Sequence, residues 1–150
     1  MNSLLRSIFL LCVFVSTDVF ASNLIMARSS LPFSEAMTNL QVSLREHGYT
    51  VARVQRIDVG LTAMGYKTDK YRVVFVGKAD EIKYLVNKYP QMIPYMPPKV
   101  SIFAEGGDTL LVTANPQVFA KMIDDEKDKI IFQQWESDVY SVFNDFRSAE

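Results

Sequence analysis

The tetrapeptide Glu105-Gly106-Gly107-Asp108 constrains the fold more than any other stretch of this chain. It joins two runs rich in β-branched and apolar residues, Val100–Ala104 and Thr109–Thr113. A glycine pair between two such runs signals a β-hairpin, because the tight hairpin turns need residues that accept positive φ. Two adjacent antiparallel strands follow, and the remaining elements must build onto them.

Upstream, Leu24–Ala27 reads as a short strand. Phe33, Met37, Leu40 and Leu44 then share one helical face, opened by Pro32 and stopped at Gly48. Tyr49–Ile57 reads as a strand with imperfect alternation, and Asp58–Gly65 as a short helical turn. Tyr71–Val76 is an unbroken β-branched and aromatic run, the pattern of a strand buried on both faces, where Phe75→Asp should unfold the domain. Asp80–Lys88 reads as a helix. Pro90, Pro94, Pro97 and Pro98 make the next stretch an irregular loop of apolar content. Asn115-Pro116 caps a helix expected over Gln117–Ile123. Asp124–Lys129 reads as a solvated charged break before a last helix carrying Trp135, Val139, Val142, Phe143 and Phe146. This order predicts an α+β domain with a mostly antiparallel sheet of about five strands covered by helices.

The first 21 residues have a different character. Arg6 precedes the apolar run Ile8–Val15, and Val19-Phe20-Ala21 fits a peptidase site. That is the pattern of a cleaved signal peptide over 1–21, followed by one domain over 22–150 and a periplasmic or secreted destination. The apolar run is shorter than the ~20 residues a membrane span needs. The single cysteine, Cys12, falls inside the leader, so the exported domain has no thiol for a disulfide, a metal or a nucleophile. A formal net charge of −1 argues against nucleic acid as a partner.

Chemistry-bearing motifs are sparse. The single histidine, His47, ends the first helix, where the helix dipole favours it. An acid–base pair of His47 and Asp58 is one reading. Met92 and Met96 bracket the proline loop and, with His47, could offer a soft-metal or haem site; gap-filling under a loop explains the same methionines. Neither the nucleophile motif Gly-x-Ser-x-Gly nor a phosphate-cradling glycine loop is present, and no cofactor is expected. Tyr66, Tyr71, Tyr84, Tyr89 and Tyr95 cluster in the middle third, as expected of a pocket, an interface or half-buried packing.

Several of these segments together resemble the family called domain of unknown function 302. They are Pro32–Gly48, Ile57-Asp58-Val59 with its short helix, Arg72–Gly77, Tyr95–Val100, and the hairpin ending in Asn115-Pro116. The resemblance implies a small, dimeric α+β domain with no established activity. Gly77-Lys78-Ala79, Pro97-Pro98 and Val59 stand where many members carry cysteine or histidine. The resemblance therefore carries over only Asp58, Gly77 and the Pro97 region as a pocket. The expected binding residues are His47, Asp58, Gly77, Tyr95, Met96 and Pro97, with no metal, in an exported homodimer that binds a small-molecule or protein ligand without catalysis. The apolar residues of the last helix, spread over more than one stripe with Tyr140, point to a helix-mediated dimer contact unless the preceding helix covers them.

Overall fold

The computed structural model describes residues 23–149. The leader lies outside the described residues. Strands β1 (Leu24–Ser29), β2 (Thr50–Arg56), β3 (Tyr71–Gly77), β4 (Lys99–Glu105) and β5 (Asp108–Ala114) form one five-stranded sheet in the order β1-β5-β4-β3-β2. Every neighbouring pair is antiparallel. The helices are α1 (Phe33–Glu46), α2 (Ile57–Ala63), α3 (Ala79–Lys88), α4 (Gln117–Ala120) and α5 (Glu126–Ser148), and a 3-10 helix spans Pro90–Tyr95. The α+β architecture is the one the order of elements predicts. Gly106 and Gly107 close the β4–β5 hairpin with φ of 59° and 101°. Positive φ at both positions is what a two-residue type I′ connection requires.

Alternation along the strands sorts the sheet into two faces. One face carries Ile25, Ala27, Val74, Val76, Val100, Ile102 and Leu111, all buried. Onto it α1 lays Ala36, Leu40 and Leu44, α3 lays Leu85, and α5 lays Phe132, Trp135, Phe143 and Phe146. A fully buried side chain of this size contributes about 1.5–3 kcal/mol relative to exposure, so α5 alone supplies a large part of the core's stabilisation. The opposite face carries Leu24 and Met26 from β1, Leu110 and Val112 from β5, Ser101 and Phe103 from β4, and Val73 and Phe75 from β3.

Three expectations change. First, β3 is buried at Val73 on one face and at Val74 and Val76 on the other, but Phe75, on the Val73 face, is only half-buried and lines the cavity at the sheet's end. Second, the apolar surplus of α5 is absorbed within the chain. Phe132, Trp135, Val142, Phe143 and Phe146 are all essentially buried, against β1, α1 and α4. Of its large apolar and aromatic side chains α5 leaves only Ile130 and Tyr140 exposed, at 60% and 46%. Third, the charged run before α5 is not simply solvated. Asp125 caps α5 by accepting the Lys127 N–H at 3.0 Å. Asp128 is buried and accepts from Tyr89 Oη at 2.6 Å and Lys88 Nζ at 2.6 Å. Those bonds tie the start of α5 to the end of α3. The helix expected over Gln117–Ile123 stops at Ala120, because Ile123 is drawn into the core and Asp125 starts a new helix.

Candidate functional site

The sheet ends in a cavity of about 180 Å³. It forms where β3 and β5 finish and β4 begins. Val76, Val100 and Thr113 line its floor. Leu44 and Tyr49 come from the end of α1 and the turn into β2. Trp135, Val139, Val142 and Phe143 come from α5, and the segment Pro94–Pro98 closes one side. Each lining position follows from local sequence. Gly48, with φ of 81°, reverses the chain after α1 and turns Tyr49 inward. Prolines deny the Pro94–Pro98 segment a regular ladder, so it crosses the strand ends as a wall. Spacings of three and four place Trp135, Val139, Val142 and Phe143 on the inner side of α5.

Of the lining residues with polar tips, Tyr49 and Trp135 hold theirs in hydrogen bonds to carboxylates. Trp135 Nε1 donates to Glu81 Oε2 at 2.5 Å. Tyr49 Oη donates to Asp138 Oδ2 at 3.1 Å. Asp138 also accepts from Lys78 Nζ at 2.8 Å and from Gln134 Nε2 at 2.8 Å. Lys78 further lies 4.9 Å from the centre of the Tyr49 ring. Burial pushes the Tyr49 hydroxyl well above the usual phenol range, and the neighbouring Asp138 carboxylate pushes it further. For Asp138 burial acts upward, but the Lys78 and Gln134 hydrogen bonds outweigh it and hold the carboxyl below its ordinary range. The Tyr49 phenol therefore stays protonated and the Asp138 carboxylate charged. Both serve to fix the wall, and the interior keeps an apolar surface. Thr113 Oγ1 is likewise occupied, donating to the Lys99 carbonyl at 2.8 Å. Tyr95, half-exposed, packs against Phe119 with ring centres 5.9 Å apart.

The structure brings Tyr95, Met96 and Pro97 together at this cavity. Gly77 stands beside it with a packing role. A Cβ added there would lie 2.0 Å from Ile82 Cδ1 and 4.0 Å from Pro97 Cβ, so only glycine lets α3 start this close to the strand. His47 and Asp58 are not among the lining residues. His47 Nε2 faces Asp145 Oδ2 at 3.2 Å on an exposed flank. Ser43, which donates to the same oxygen at 2.5 Å, and then His47 hold Asp145 below the usual carboxylate range. Asp58 pairs with Arg72, which holds its carboxyl low, and Arg72 also lies 5.7 Å from the Phe33 ring centre. His47 precedes the first residue of β2 and Asp58 follows its last, so the length of a seven-residue strand, ~20 Å, separates them. No acid–base pair forms between them. Met92 is fully buried in the core, Met96 packs against that core and lines the cavity, and His47 pairs with Asp145. Among the described residues no group of three His, Cys, Asp or Glu side chains could hold a metal ion. Tyr49, Trp135 and Phe119 are among the lining residues that sequence reasoning missed. The polar partners at Asp138 and Glu81, each on a neighbouring helix face, were the available signal for the first two.

An antiparallel five-stranded sheet with helices packed on it and an apolar cavity at its end defines a small α+β domain. The chain belongs to the family described as domain of unknown function DUF302, whose profile matches residues 25–145. Among solved structures, it is similar to an uncharacterised conserved DUF302 protein from Bacillus stearothermophilus, at 20% identity and a TM-score of 0.76. That likeness covers 85% of this chain and 100% of the other, and it establishes the shared fold. No curated protein matches the chain.

Proposed function

We propose that this is an exported, non-catalytic binding domain that works as a homodimer and takes a small, predominantly apolar molecule into the cavity at the end of its sheet. The observation that carries the reading is the cavity itself: apolar inside, with the polar tips of Tyr49 and Trp135 held outside by Asp138 and Glu81. Its volume of about 180 Å³ is comparable to an engineered apolar cavity of about 150 Å³ that stays dry and binds benzene. Such a site rewards shape and apolar contact, with Lys99 the one charged residue on its lining. Export is supported by the leader pattern, and cleavage after Ala21 leaves every element among the described residues intact, since β1 starts at Leu24.

Trp135 is the chain's single tryptophan and lines the cavity, so its emission reports occupancy directly. Titration with iodobenzene, whose heavy atom quenches indole, should give saturable quenching. Val139→Phe, which fills the cavity from α5, should abolish the saturable phase. Quenching that rises linearly in both proteins would overturn the reading.

A further inference from the structure

We propose that the cavity at the end of the sheet takes a small aromatic carboxylate, ring inward and carboxylate on the Lys99 ammonium; this rests on the reading of the cavity as a ligand site. The polar side chains of the lining divide into two sets. Tyr49, Thr113 and Trp135 have theirs committed, to Asp138, to the Lys99 carbonyl and to Glu81. Tyr95 and Lys99 are exposed. Among the described residues neither the Tyr95 hydroxyl nor the Lys99 ammonium has a hydrogen-bond or ion-pair partner. The groups a ligand can still engage are therefore one hydroxyl and one cation, both on the solvent side.

No Asp or Glu stands on the lining, so no carboxylate there competes for the ammonium or repels an anion. The Asp138 carboxylate behind Tyr49 is already paired with Lys78 at 2.8 Å. An unpaired cation beside low-dielectric walls draws an anion more strongly than one in open water. The sheet holds Lys99 in place. It is the first residue of β4, opposite Phe75, which also lines the cavity. The Pro98 carbonyl before it accepts the Val76 N–H at 2.9 Å, and its own carbonyl accepts from Thr113 Oγ1 at 2.8 Å. The backbone is thus fixed on both sides, while the aliphatic stem can lie along apolar surface and present the charge to a bound molecule.

Size and lining set the rest of the ligand. An apolar cavity of about 150 Å³ holds benzene, so one of about 180 Å³ takes about seven heavy atoms, a ring with one substituent atom. Tyr49, Phe75, Phe119, Trp135 and Phe143 line it with aromatic rings, surfaces that favour another ring. A single ammonium without a guanidinium fork matches the one charge of a carboxylate. A phosphate dianion would keep a charge unpaired.

Trp135 emission, titrated with iodobenzene, para-iodobenzoate and para-iodobenzylammonium, tests this, since these probes carry the same quenching atom. Para-iodobenzoate should quench saturably and bind the wild type about threefold to tenfold more tightly than Lys99→Met. Iodobenzene should bind both proteins alike, because Lys99 is exposed and its loss leaves the core intact. Lys99→Glu should prefer the ammonium probe, reversing the wild-type order. Benzoate should displace para-iodobenzoate at a lower concentration than hexanoate does; the opposite order would overturn the aromatic class. Saturable iodobenzene quenching, with equal para-iodobenzoate affinity in the wild type and Lys99→Met, would overturn the carboxylate site and leave the cavity reading standing. Linear quenching by every probe would overturn both.

Discussion

Gly77→Ala should destabilise the domain through one contact, and Ile82→Val should relieve it. Gly77 ends β3 with its backbone in an ordinary conformation, so no left-handed φ forbids a side chain there. Space does. The new methyl would sit 2.0 Å from Ile82 Cδ1 and 3.2 Å from Ile82 Cγ1. The first distance is impossible, and the second needs a few tenths of an ångström of movement. Cδ1 is the free end of a side chain, so Ile82 can rotate, but it then leaves its place against the core. Overpacking of this kind costs about 1–3 kcal/mol. For a domain of this size each kcal/mol lowers the melting temperature by roughly 4 °C, so the expected loss is roughly 4–12 °C. Ile82→Val alone should cost about 0.5–1.5 kcal/mol, since it deletes only Cδ1. In the double variant the forbidden contact is gone and the tight one remains. The two effects should therefore fail to add by about 1 kcal/mol in the stabilising direction. Urea denaturation of the four proteins measures this coupling. Strict additivity, or a Gly77→Ala protein as stable as the wild type, would refute the contact as the reason for glycine at this position.

Val74→Asp should unfold the domain, since it places an unpaired carboxylate at a fully buried site, whereas Phe75→Asp on the open sheet face should leave a folded chain; circular dichroism melts separate the two. Asp138→Ala should cost about 1–3 kcal/mol in chemical denaturation, because Lys78, Tyr49 and Gln134 lose their common acceptor. Acid should destabilise the domain. Asp58, Asp125, Asp128, Asp138 and Asp145 all have native pKa values below their unfolded values. Each therefore contributes stability that is fully present above about pH 4 and is lost as pH falls through the lowered native values. A urea midpoint constant from pH 6 down to pH 3 would contradict this assignment.

The elements of this fold were legible because their signals are local. Glycines at 106 and 107 fix a turn, and the spacing of Phe33, Met37, Leu40 and Leu44 fixes a helical face, whatever surrounds them. The cavity was half legible. Tyr95, Met96 and Pro97 were identified from the apolar character of the proline-rich loop and from the family resemblance, and all three line the cavity. His47 and Asp58 attracted attention as reactive groups, but chain proximity is not spatial proximity: a seven-residue strand runs between them. Each is an acid or base already paired, to Asp145 and to Arg72.

What the sequence hides most thoroughly is how charge serves an apolar site. Lys78, Glu81 and Asp138 read as ordinary surface residues of α3 and α5. In the fold Asp138 and Glu81 take the hydroxyl of Tyr49 and the indole N–H of Trp135, and Lys78 neutralises Asp138 from beside the Tyr49 ring. Without them, two polar tips would need water or would turn inward, and the cavity would become wet.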